Sequence, residues 1–396
     1  MAQKSKKKGK ENKNQNSTRF PIVRGNVDYF IVVVTLIILC LGLIMLLSAS
    51  APTSISESGN SYSYFKRQIM AASAGLAFMF ILSFINYKYY RKFKYFIYVF
   101  TIILLFLVEI MGMGSGGAKR WINLFGFNFQ PSEVAKLSLI IFFAAHLVDL
   151  KEKGNIRNIF MGAGYSLILL AVPLFIIFHF QNHLSACIII GAITLIQMIV
   201  GGIRISHLLC IGAVCSPFIY KFIGPKIGLG GNDDSFRGNR IQTWKDPFKD
   251  KTAAGWQIVN SLYAIGSGGL LGKGIGNSRQ KYTYLPEAHN DFIFAILAEE
   301  LGFVGCIVVI GLFIAFIWRG IYIASKADDE FGSLIAIGIV AMIGLQALIN
   351  VAVVTNSIPV TGMPLPFFSY GGTAILVDLA AVGVLLSIAR QRKTEE

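Results

Sequence analysis

The chain has 396 residues, with 36 Lys and Arg against 21 Asp and Glu and a formal net charge of +15. Charged residues make up only 14% of it and apolar residues 54%, with a mean hydropathy of +0.61. Soluble domains carry about 25% charged residues, so a water-soluble globular protein is excluded and a polytopic membrane protein is indicated.

Residues 1–27 concentrate Lys4, Lys6, Lys7, Lys8, Lys10, Lys13, Arg19 and Arg24 among Gln, Asn and Ser. So few apolar groups cannot offset the entropy lost on folding, which predicts a disordered basic tail. The apolar stretch that follows is too long for a signal peptide, and no cleavage pattern ends it. The tail reads as a cytoplasmic anchor touching anionic membrane lipid, not as a nucleic-acid binder.

Ten apolar stretches follow, at about 29–50, 68–86, 95–113, 132–149, 159–179, 184–201, 207–223, 292–323, 333–353 and 371–389. Most approach the ~20 residues that cross a bilayer as a helix. The expected fold is an all-α polytopic membrane protein of about ten transmembrane helices within residues 28–391. A large extracellular loop, 224–291, separates spans seven and eight. Loops on the tail's side carry Lys88, Arg91, Lys92 and Lys94, then Lys151, Lys153 and Arg157, then Arg204, Arg319 and Lys326, then Arg390, Arg392 and Lys393. The short loops opposite carry Lys66, Arg67, Lys119, Arg120 and Lys136. That excess places both termini, including a 392–396 tail, in the cytoplasm. Cys40, Cys187, Cys210, Cys215 and Cys306 lie in apolar stretches and form neither a disulfide framework nor a metal-ligand spacing.

Between spans three and four, Gly114 to Lys136 contains Pro131-Ser132-Glu133, a helix start with proline and a carboxylate in its first turn. Lys136, three residues on, shares a face with Glu133. The two form either a structural ion pair at the mouth of the span or a cationic lining for a diphosphate, with Arg120 as a second donor. Guanidinium forks match phosphate oxygens through two parallel hydrogen bonds. In the link Gln181-Asn182-His183-Leu184-Ser185, His183 reads as a hydrogen-bonded bystander, like His146, His179 and His207. The long loop contributes Arg240, helical apolar spacing over Gln257–Ile265, and a glycine run, Gly266 to Gly276, that leads to Arg279 and Lys281. Glycine backbone there suits either phosphate approach or a flexible turn, and no Walker order is present.

The loop closes on Tyr284-Leu-Pro-Glu-Ala-His-Asn-Asp291, where polar chain gives way to apolar helix. Asp291 at that membrane surface is either an N-cap of the eighth span or a base acting on a lipid-anchored substrate. From Asn350 to Thr373, three prolines and several glycines preclude one continuous helix. Broken backbone at membrane depth must be buried in protein or border a wet cavity. Asp378, about two turns into the last span, reads as a hydrogen-bonded packing residue.

Arg120-Trp-Ile, Gln130-Pro-Ser-Glu-Val-Ala-Lys136, Leu285-Pro-Glu-Ala-His-Asn-Asp-Phe-Ile-Phe294 with Glu299-Glu-Leu-Gly302, and Pro359-Val-Thr-Gly362 with Leu365-Pro-Phe-Phe-Ser-Tyr-Gly-Gly372 occur in this order. Jointly they resemble the SEDS family of bacterial cell-wall proteins (FtsW, RodA, SpoVE) over nearly all of residues 28–391. Ser278-Arg-Gln-Lys281 and Pro286-Glu-Ala-His289 look closer to the FtsW/SpoVE branch. Many members carry Gln-Pro-Asp-Leu-Gly-Thr where this chain has Gln181-Asn-His-Leu-Ser-Ala186, and Asn290 replaces a common threonine.

The resemblance implies a peptidoglycan glycosyltransferase of the bacterial cytoplasmic membrane, polymerising lipid II at the outer face during cell division. It implies a class B penicillin-binding protein (a transpeptidase) and other divisome membrane proteins as partners, and a divalent cation, Mg or Mn, at an unknown site. Asp291 is then the general base of an inverting transfer that releases polyprenyl diphosphate. Arg120, Lys136 and Arg240 are expected to balance phosphate charge. Glu133, Gln181, Lys281, His289, Asn350 and Ser369 complete the expected substrate-binding set. A lipid II flippase and a non-catalytic divisome scaffold are the alternatives; the clustering of unusual residues on the external side favours the enzyme.

Overall fold

A computed structural model describes residues 25–114, 119–124, 127–222, 240, 243–249, 253–282 and 284–392. The expected disorder of the basic tail, residues 1–24, and much of the long loop therefore lie outside the described residues.

Asp28 starts α1 (Tyr29–Ser58) by accepting the Ile31 N–H at 3.3 Å, and Gly59 ends it. Then come α2 (Ser63–Phe84), a short α3 (Lys88–Lys92), α4 (Lys94–Met111) and α5 (Pro131–Glu152), which starts at the expected proline. A π-helical turn, Ile159–Gly164, leads into α6 (Tyr165–His179), followed by α7 (Leu184–Val200) and α8 (Ile205–Phe222). Within the long loop, α9 (Ala253–Gly268) contains the Gln257–Ile265 pattern. Last are α10 (Ile293–Ser325), α11 (Glu330–Val354) and α12 (Gly372–Arg390). Among the described residues, seven helices are long and apolar enough to cross a membrane, and α7 and part of α8 are apolar but shorter. With α5, whose polar residues turn inward, these account for the ten expected spans. The all-α expectation describes the bundle; one β-hairpin, β1 (Ile122–Leu124) paired with β2 (Phe127–Phe129), departs from it among the described residues.

The centre and rim follow from burial. In α12, 83% of the apolar window is buried inside the protein, against 22% in α4. Helix α12 lies along α2, and α11 lies along α10 and contacts α5 and α7. Lipid gives apolar side chains little reason to prefer protein, so polar side chains help fix such contacts. Gln197 of α7 is one: its buried Nε2 donates to Ile140 O of α5 and Leu334 O of α11, both at 3.0 Å.

Ion pairs staple the end of the bundle nearest Asp28. Arg319 chelates Asp28 through contacts of 2.8–3.0 Å, and Arg392 adds a second cation at 3.2 Å. Lys88 pairs with Asp328, Arg91 with Asp149 and Glu152, and Lys151 with Glu330.

At the other end, the eighth span is not one helix. Gly302 has φ 66° and ψ −168°, which separates a buried half-helix, residues 293–301, from the longer span behind it. Only glycine adopts this conformation readily. A break at membrane depth strands backbone groups, and the glycine run supplies their partners. Phe303 and Val304 donate to Gly269 O and Leu270 O at 2.9 and 3.1 Å; Lys273 and Gly274 donate to Glu299 O and Glu300 O at 3.0 Å. The run is thus a strap against the half-helix, neither a phosphate cradle nor a free turn.

Candidate active site

The strap also surrounds two buried carboxylates. Glu299 accepts from Lys273 Nζ at 2.6 Å, Ser278 Oγ at 2.5 Å and the Arg279 and Gln280 N–H groups. Glu300 accepts from Ser48 Oγ at 2.6 Å and Lys281 Nζ at 2.9 Å. Lys281, expected among the substrate ligands, has its buried ammonium bonded to Glu300, Ser48 and Gly276 O.

Half-helix 293–301 carries Asp291 just ahead of its first turn. The N-cap position belongs to Phe292, and no side chain caps the helix. The capping alternative for Asp291 is thereby removed. Its carboxylate lies against Gly362: a Cβ there would sit 3.2 Å from Asp291 Oδ2, and φ at Gly362 is +65°. Glycine is required at 362 both for the backbone and for the space beside the carboxylate.

Gly362 belongs to the segment between Val354 and Gly372, which is non-helical as expected and mostly buried. Asn350 Nδ2 donates to Asp291 O at 2.8 Å and to Met363 O at 2.6 Å. Ser369 Oγ donates to Asn290 O at 2.6 Å and accepts the Leu365 N–H at 2.8 Å. Both residues, expected among the substrate ligands, are buried pins between the Asp291 turn and this segment. Gln68 of α2 extends the clamp, donating to Ser369 O and accepting the Gly371 N–H, both at 3.1 Å.

The expected cations divide into two groups. Arg120 donates to Asn182 O at 2.9 Å and Gln181 O at 3.4 Å; Arg240 donates to Val360 O at 3.2 Å. Both lie within electrostatic reach of Asp291. Lys136 instead forms the structural ion pair, 2.7 Å from Glu133 Oε2 and 2.8 Å from Gln346 Oε1, with all three side chains buried. The phosphate-lining alternative for Lys136 and Glu133 gives way to this pair. Asp378 is an electrostatic neighbour of that pair and accepts the Phe367 N–H. Gln181 is also turned inward, fully buried with Nε2 donating to Leu105 O at 3.1 Å.

Burial pushes the Asp291 carboxyl up to about 6; Glu287 pushes the same way, while Arg240 and Arg120 oppose. A carboxylate in this range is ionised at neutral pH yet basic enough to accept a proton. His289 is buried between Tyr64 and Tyr370, with ring centroids 4.8 and 6.0 Å away, and burial lowers its pKa. His183 is not the hydrogen-bonded bystander expected: its Nδ1 is buried without a partner, and burial beside Arg120 and Lys136 lowers it to about 3. Glu287 and Gly362 have no role legible in the sequence. A contact between Gly362 and Asp291 leaves no local signal, and a glutamate with φ 55° looks like any other loop residue.

Residues 28–394 match the profile of the cell cycle proteins FtsW, RodA and SpoVE. The chain belongs to this family. It is 40% identical to stage V sporulation protein E of Bacillus subtilis, over 92% of this chain and 97% of that one. It is 35% identical to a probable peptidoglycan glycosyltransferase FtsW of Geobacter sp., again over 92% and 97%. Among solved structures, a chain of a complex described as structural coordination of polymerization and crosslinking by a peptidoglycan synthase complex aligns with a TM-score of 0.76 and 26% identity, covering 93% of this chain and 99% of that one. The rod shape determining protein RodA of Thermus thermophilus aligns with a TM-score of 0.64 and 25% identity, covering 93% and 98%. The ten-helix bundle and its broken eighth span are thus an FtsW/RodA/SpoVE fold. Among the described residues, no three His, Cys, Asp or Glu side chains gather to hold a metal ion. These residues do not build a cage for the expected Mg or Mn.

Proposed function

We propose that this FtsW/RodA/SpoVE family member is a peptidoglycan glycosyltransferase that polymerises lipid II, with Asp291 as general base. The observation that carries this reading is the setting of Asp291. A carboxylate that caps no helix is fixed through backbone pins against Gly362, with burial raising its proton affinity and two arginines nearby.

The reaction is a single inverting displacement. The acceptor's 4-hydroxyl loses its proton to Asp291 as its oxygen bonds to the anomeric carbon of the donor, and the bond from that carbon to the diphosphate oxygen breaks. The polyprenyl diphosphate leaves with the electron pair. Positioned base assistance of this kind is worth ~10²–10⁴ in rate. Arg120 and Arg240 supply charge for the departing phosphates, where fixed cations stabilise the developing negative charge. A divalent cation, Mg or Mn, would add positive charge at the same phosphates.

The excess of Lys and Arg at the Asp28 end argues that this end is cytoplasmic and the Asp291 end external. Kinship with a chain of a peptidoglycan synthase complex supports a cross-linking partner, for which a class B penicillin-binding protein has the required chemistry.

Asp291→Asn should abolish glycan polymerisation from lipid II by the purified protein, with or without its transpeptidase, while expression and complex formation persist. Strands made by this variant would refute the base, and a scaffold role would be unaffected by it.

A further inference from the structure

Glu287 stands four residues ahead of Asp291 with φ 55°, a left-handed conformation that costs a glutamate energy. A closed turn holds it there. The Asn290 N–H donates to Glu287 O at 3.0 Å, and Asn290 Nδ2 donates to Glu287 Oε2 at 2.5 Å. The far side of this turn is fixed as well, because the Asn290 and Asp291 carbonyls accept from Ser369 Oγ and Asn350 Nδ2. A water-exposed carboxylate is thereby held in place on the turn that leads into the base, within electrostatic reach of Asp291. A turn that needed only to close would take glycine or asparagine here without strain. The presence of glutamate calls for another reason.

That reason lies in the balance of charge. Among the described residues, the charged groups that act on Asp291 are Glu287 from its own turn, Arg240 from the external loop and Arg120 from the segment ahead of β1. His289, on the same turn, is drawn toward protonation by Glu287 and Glu57, but burial outweighs both and lowers its pKa. Two cations suited to a leaving diphosphate also stabilise the ionised Asp291 and so weaken it as a proton acceptor. Glu287 is the anion that opposes them.

We propose that Glu287 acts through Asp291, its negative charge making that carboxylate a stronger base toward the acceptor hydroxyl. Glu287 takes no proton itself; it is a positioning residue whose charge is the active property. This inference rests on the assignment of Asp291 as base.

The test is the pH dependence of kcat/KM for lipid II polymerisation by the purified full chain, as wild type, Glu287→Gln, Glu287→Asn, Glu287→Asp and Asp291→Asn. Glutamine keeps an oxygen for Asn290 Nδ2 and removes only the charge. The acid limb is expected near the Asp291 value of about 6 in the wild type and should move down by roughly half a unit or more in Glu287→Gln, with the plateau lowered roughly threefold. Glu287→Asp should keep the wild-type limb. Glu287→Asn, which tolerates the left-handed backbone, removes the charge by a second route and should shift the limb as glutamine does. Coincident limbs for wild type and the two uncharged variants, whatever their plateaus, overturn the proposal and leave Glu287 a turn residue. Polymer made by Asp291→Asn overturns the base assignment instead, and the proposal with it.

Discussion

Keeping Asp291 ionised costs the fold stability. Its pKa rises from 3.8 to about 6 on folding, so between those values the folded form retains a proton that the unfolded chain releases. Stability therefore falls as pH rises through this window, and the penalty is complete at neutral pH. Asp291→Asn removes the penalised charge. Its apparent melting temperature in detergent should exceed the wild type's at about pH 7.5 by roughly 2–4 °C, and the gap should close toward about pH 4. A gap that widens on acidification would contradict this. Asp291 itself is legible in the sequence, because polar chain turns to apolar helix at that residue. Its neighbours are less so. Gln181, Lys281, Asn350 and Ser369 are polar and lie near the same end, so sequence groups them with the cavity. The fold turns each inward to a partner far away in the chain, and a buried polar group must find one.

At the scale of elements, the half-helix and its strap form one unit with α1. Lys281 joins them, bonding Glu300 on the half-helix, Ser48 on α1 and Gly276 O on the strap. Removing one partner of a buried ion pair leaves the other uncompensated, at about 3–5 kcal/mol, whereas replacing both with apolar residues is often tolerated. Lys281→Met should therefore lower thermal stability sharply, and Lys281→Met with Glu300→Leu should recover much of it. If the double variant is no more stable than the single, Lys281 does more than neutralise Glu300. Hydropathy alone joins residues 292–323 into one span, because the half-helix is apolar apart from Glu299 and Glu300 and runs straight into the apolar helix behind it. The break is marked by a single glycine, and the partners that make it tolerable come from a run some thirty positions earlier.

For the whole molecule, hydropathy located the bundle well, since bilayer thickness dictates segment length. The β-hairpin escaped that signal because three-residue strands carry too little pattern. Orientation is directly testable in a cysteine-free background. Tyr284→Cys, at an exposed position near Asp291, should react with a membrane-impermeant maleimide on intact cells. Ser325→Cys, at the far end of α10, should react only after permeabilisation. The reverse pattern would place the proposed chemistry inside the cell.

Asp28 draws together residues from the two extremes of the described chain, since Arg392 and Arg319 both reach it and Gly25 abuts the Arg390 carbonyl. The first and last helices thus meet at one rim, and a short linker from 392 to 25 would close the polypeptide into a ring. Reopening that ring between Lys153 and Asn155, in the exposed turn after α5, would give new ends without cutting a helix. Such a permuted chain would carry its reporter or tether beside α5 while the Asp291 end stayed untouched.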